Sequence, residues 1–76
     1  ARDLLAKKFQ QPVDVVLFGD THEEMICIRD GVLLVNPGSP TYPGRTHRPG
    51  SLGTVGILDI QGSTTLVSLV QLAGER

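Results

Sequence analysis

The sequence predicts an α/β chain: one short helix, then one buried strand, then two hairpins, about five strands in all. Three observations predict it. Val, Ile and Thr fill the stretches between turn signals, and their branched Cβ atoms favour a pleated surface. Nine glycines and five prolines punctuate the 76 residues, which is dense enough to cut the chain into short strands. One nearly unbroken apolar run, Val13–Phe18, follows a helical pattern directly, as in the helix-to-strand half of a βαβ unit.

The elements follow in order. Residues 1–10 read as an amphipathic helix, with Leu5 and Phe9 one turn apart and Leu4 beside them. Asp3 suits the positive end of its dipole and Lys7 and Lys8 the negative end, and Pro12 stops it. Val13–Phe18, broken only by Asp14, predicts a strand covered on both faces. Met25–Ile28 and Val32–Val35 flank Arg29-Asp30-Gly31, and Asp-Gly between apolar runs is a strong hairpin signal. Asn36-Pro37-Gly38-Ser39-Pro40 forces a tight turn, and residues 40–53 form a Pro/Gly-rich loop. A second hairpin joins Val55–Ile60 to Thr64–Leu72 through Gln61-Gly62. In its last strand Leu66, Ser68, Val70 and Leu72 share one face, and Val67 and Leu69 the other.

Composition narrows the function. Seven basic against eight acidic residues leave a net charge of −1, so nucleic acid and acidic membrane surfaces are poor electrostatic partners. No apolar run approaches the roughly 20 residues that span a bilayer, and no secretory signal pattern is present. Cys27 is the one cysteine, which excludes an internal disulfide and a Cys-x-x-Cys zinc site. A cytoplasmic, globular chain that depends on a partner is expected, because a chain this short hides only about 60% of its unfolded surface.

The densest chemical signal is Gly19-Asp20-Thr21-His22 at the carboxyl end of the buried strand, where open α/β sheets gather their ligands. In an extended segment Asp20 and His22 point the same way, and a carboxylate beside an imidazole can hold a divalent ion. The plain alternative is a turn-capping Asp and an exposed His. Gly19 would let the backbone leave the strand without a side chain in the way. Asn36 and Ser39 shape the next turn or contact substrate. Arg45, His47 and Arg48 form either a solvated loop or an anion-contacting one. Cys27 reads as a small buried hydrophobe, Glu23 and Glu24 as solvated or as supports for His22, and Arg29-Asp30 as a hairpin tip without function.

Val13–His22 resembles the closing Gly-His-x-His motif of the calcineurin-like metallophosphoesterases, and Gly31–Pro40 is similar to the Asn-Pro-Gly-Ser turn of their small bacterial and archaeal phosphodiesterase branch. Val55–Ile60 is similar to the strand that follows there. The resemblance covers about residues 1–70 and implies the C-terminal half of an α/β/β/α sandwich, so residues 1–76 are expected to be a single partial domain. It also implies a two-metal centre that hydrolyses phosphodiesters, two ions about 3.5–4 Å apart activating a bridging water. His22 fills the second ligand position. Asp20 stands where the family has histidine, and an aspartate still suits a hard ion.

The divalent ion implied is Mn²⁺ foremost, with Mg²⁺, Fe or Ni as the others. The family's remaining ligands, Asp-x-His, Gly-Asp, Gly-Asn-His/Cys-Asp and a further His, are absent from this sequence. The implied parent is a metal-dependent phosphodiesterase acting on a small-molecule phosphodiester, and this chain alone is expected to hold no catalytic set. It is expected to meet either an N-terminal half or a second copy of itself. The other reading is a non-catalytic protein-interaction scaffold on the same fold, as some family members are, and Asp20 in place of histidine is what it would predict.

Overall fold

The computed structural model describes residues 2–75, so Ala1, at the start of the expected helix, lies outside the described residues. Helix α1 spans Arg2–Phe9, followed by strands β1 (Val15–Leu17), β2 (Met25–Arg29), β3 (Val32–Asn36), β4 (Thr54–Gln61) and β5 (Thr64–Gln71). The expected helix and five strands are all present, and they form two sheets. The first has the order β1-β3-β2, with β1 parallel and β2 antiparallel to the central β3. The second is the β4–β5 hairpin.

Turn chemistry sets both hairpins. Arg29 pairs with Val32, leaving Asp30 (φ 52°) and Gly31 (φ 72°) as a two-residue loop with both φ values positive. That is the sign pattern of a type I′ turn, whose twist matches the strands it joins. The second hairpin closes on Gln61–Thr64, so its loop is Gly62-Ser63, one residue later than the expected Gln61-Gly62. Gly62 takes φ 60° at the first loop position, where a type II′ turn requires glycine.

Helix α1 stops where Gln10 turns left-handed (φ 61°), a C-terminal cap two residues before Pro12. No residue of the helix is buried: Leu5 and Ala6 are half-buried, while Leu4 and Phe9 are 73% and 53% exposed. Arg2 fixes the helix start instead. Its backbone N–H donates to Asp30 Oδ2 (3.0 Å), and its guanidinium donates to the Gly31 carbonyl (2.6 Å) and Asp14 Oδ1 (3.0 Å). Asp30 thus serves one of the orphan N–H groups of the helix from the hairpin tip, at the positive end of the dipole.

Burial departs from expectation at β1. The strand is three residues long, Val15 and Val16 are half-buried, and Leu17 is 61% exposed rather than covered on both faces. It pairs only with β3 among the described residues, so its far edge has no strand beside it there. The core is Val32 and Val35 of β3, together with two polar groups, Asn36 and Thr54. Val67 and Leu69 are half-buried, and Leu66, Ser68 and Val70 lie on the exposed face, the division that alternation predicts, whereas Leu72, expected on that exposed face, lies past the end of β5 at Gln71 and is half-buried. Among the described residues no helix is long and apolar enough to cross a membrane.

Candidate functional site

Strand β3 ends in Asn36, which is 1% exposed, and both ends of its side-chain amide are bonded. Nδ2 donates to Thr21 Oγ1 (2.9 Å), and Oδ1 accepts the Gly38 N–H (2.9 Å). One buried amide therefore ties the Gly19–His22 segment to the Asn-Pro-Gly-Ser turn. That turn is then fastened to β4. Thr54 Oγ1 donates to the Pro37 carbonyl (2.7 Å), and the N–H groups of Thr54 and Gly53 donate to the carbonyls of Ser39 (3.2 Å) and Pro40 (2.9 Å). Gly38 sits at φ 79°, and a Cβ there would overlap Thr54 Oγ1 and come within 3.2 Å of Glu24 Cβ, so this position requires glycine. Ser39 Oγ accepts the Tyr42 N–H (3.0 Å), a bond that shapes the local turn.

The motif segment is not extended. Asp20 (φ 79°) and His22 (φ 63°) are both left-handed, so the alternation that would align their side chains does not operate. Left-handed backbone is uncommon outside glycine, although Asp and His tolerate it better than most residues. Bonds on either side hold it: Thr21 Oγ1 also accepts the Glu23 N–H (3.3 Å), and the His22 carbonyl accepts the Gly44 N–H (3.0 Å). Among the described residues Gly19 has no neighbour within 4 Å of where a Cβ would stand. Asp20 and His22 are exposed. Among the described residues no group of three or more His, Cys, Asp or Glu side chains is placed to hold a metal ion. Two donors of suitable type do not make a metal centre by themselves.

Sequence reasoning missed the role of His47. Its Nε2 lies 2.7 and 3.0 Å from the two carboxylate oxygens of Glu24, and the pair's side chains are only 10% and 24% exposed. Because 23 residues separate them, no local pattern could announce the contact. It pins the 43–49 loop beside His22, and an open cleft of about 800 Å³ lies between that loop and residues 21–23. Arg45 is exposed on the cleft, whereas Arg48 is drawn to Glu75 (2.7 Å) in an exposed pair of little energetic weight. Cys27 is half-buried opposite Leu34 in the β2–β3 ladder. Asp30, expected to be a bare hairpin tip, anchors Arg2, and the Arg2 N–H is the main cause holding its carboxyl below the usual aspartate range.

Among curated proteins none matches the sequence. The solution NMR structure of the Thermotoga maritima protein TM1076 is similar at 30% identity, with a TM-score of 0.55 over 92% of this chain. The chain spans 38% of the length of that protein. The calcineurin-like phosphoesterase superfamily domain matches residues 1–63, a stretch that includes both the Gly19–His22 segment and the Asn36–Ser39 turn clamped to it. The chain belongs to the calcineurin-like phosphoesterase superfamily.

Proposed function

We propose that the chain is the C-terminal segment of a metal-dependent phosphodiesterase, with His22 a metal ligand and Asp20 its substitute partner. The family carries phosphoesterase-type chemistry and divalent-metal use. The finer reading, Mn²⁺ and a small phosphodiester, is what the family resemblance implies, and the observation that supports a site here is that the buried Asn36 amide holds the Gly19–His22 segment against the Asn-Pro-Gly-Ser turn. Bound divalent ions supply charge stabilisation at phosphoryl oxygens and an activated water. The chain's own part is to present His22 and Asp20 on a fixed loop. The donors that complete the centre come from outside it, either from the remainder of the domain or from a second copy. Asn36 and Ser39 support the site through the turn.

A native mass spectrum in Mn²⁺ tests this. Metal retained by an assembly, and lost on His22→Ala, supports the reading. A metal-free chain at saturating Mn²⁺ sinks it for this chain. The scaffold reading would then stand in its place, favoured by Asp20 and by the exposed apolar face on which Ile57 and Leu66 are 54% and 63% accessible.

A further inference from the structure

The cleft beside His22 carries a cation that no structural role absorbs. Two backbone bonds fix its wall, from the Gly44 N–H to the His22 carbonyl (3.0 Å) and from the His47 N–H to the Gly44 carbonyl (3.1 Å). The Glu24–His47 pair holds the far end of the same segment. Arg45 stands between these two held neighbours. Arg2 commits its guanidinium to the hairpin tip and Arg48 to Glu75. Among the described residues Arg45 has no hydrogen-bond or ion-pair partner.

Charge and position then narrow what it meets. Glu24 is engaged by His47, so Glu23 is the carboxylate left on the cleft, and it makes no ion pair with Arg45. Asp20 is not among the lining residues, so the cleft leads from His22 along the 43–49 loop and away from Asp20. Its volume, about 800 Å³, lies within the range of small-molecule sites. A free guanidinium presents a planar fork of donors that fits two oxygens of one oxyanion.

We propose that Arg45 determines specificity by gripping a second oxyanion, a phosphate or carboxylate, on the organic part of a phosphoester whose scissile phosphate sits at the His22 end of the cleft. The proposal rests on the phosphodiesterase reading for the role of the site. The grip itself needs neither metal nor turnover.

The test is therefore a binding titration of the full chain without added metal, following backbone amide NMR shifts with inorganic pyrophosphate and, separately, malonate. The expected result is saturable shifts at Gly44, Arg45 and His47 with at least one anion, and the anion that binds tells phosphate from carboxylate. Arg45→Ala should weaken that binding about tenfold, and Arg45→Lys should fall between, since it keeps the charge and loses the fork. Arg45 makes no hydrogen bond or ion pair among the described residues, so the amides outside the loop should be unmoved in Arg45→Ala, and Arg45→Gln provides a second variant. Shifts absent with both anions, or equal affinity in Arg45→Ala, would overturn the proposal. A failure of Mn²⁺-dependent hydrolysis would strike the phosphodiesterase reading and leave these shifts in place.

Discussion

Replacing Asn36 by alanine removes a side chain that bonds both the Gly19–His22 segment and the turn after β3. The side chain is 1% exposed and makes two hydrogen bonds of 2.9 Å, to Thr21 Oγ1 and from the Gly38 N–H. Each such bond contributes about 1 kcal/mol net, and a donor left without a partner costs about 1–3 kcal/mol. Asn36→Ala should therefore destabilise by about 2–4 kcal/mol. A chain of this length has roughly 4–11 kcal/mol in total, so the loss is a large share. Urea unfolding followed by circular dichroism measures it, and amide exchange should show the Gly38 N–H losing protection. A double-mutant cycle with Thr21→Val isolates the Nδ2–Oγ1 bond, for which about 1 kcal/mol of coupling is expected. A cost below about 0.5 kcal/mol for Asn36→Ala, together with zero coupling, would refute the claim that this amide joins the two segments.

Three further outcomes follow from the same geometry. Gly38→Ala should cost about 2–4 kcal/mol, from left-handed strain and overlap with Thr54, whereas Gly19→Ala, facing open space, should stay within about 0.5 kcal/mol; thermal melts of the two variants compare them directly. His47→Ala should cost about 1–2 kcal/mol and speed amide exchange across residues 44–48, with Glu24→Gln milder because an acceptor remains. The Asp30 carboxyl is held below its ordinary range in the folded chain, so its contribution is present above the unfolded-state value and lost as pH falls through the folded one. Melting temperature should accordingly fall on the acid side of the usual aspartate range, and Asp30→Asn should flatten that fall.

What the sequence made legible was local. Asp30-Gly31 specifies a turn because both positions need positive φ, and the structure has 52° and 72° there. Asn36–Ser39 announces a turn by the same logic, and the central strand β3 follows from the apolar run between the two. What stayed hidden depends on residues distant in sequence. Glu24 meets His47 across 23 positions, and Arg2 reaches Asp30 across 28. No periodicity encodes either contact. The Val13–Phe18 run failed for a related reason: apolar sequence states what a strand can tolerate on its faces, not what is there to cover them, and Leu17 is 61% exposed.

The motif itself was misread in shape, and the reason bears on function. Side-chain alternation would have aligned Asp20 and His22 had the backbone been extended, but both are left-handed around Thr21. Left-handed non-glycine residues persist only where surrounding bonds over-determine them. Those bonds exist here: Asn36 and the Glu23 N–H converge on Thr21 Oγ1, and the Gly44 N–H holds the His22 carbonyl. The turn after β3 and the 43–49 loop thus hold Thr21 and His22, in addition to the Phe18 N–H bond to the Val35 carbonyl that continues β1 up to the segment. Loosening Asn36 should therefore disturb the presentation of His22 as well as stability, so Asn36→Ala is expected to weaken Mn²⁺ retention in an assembly whose direct donors are all intact.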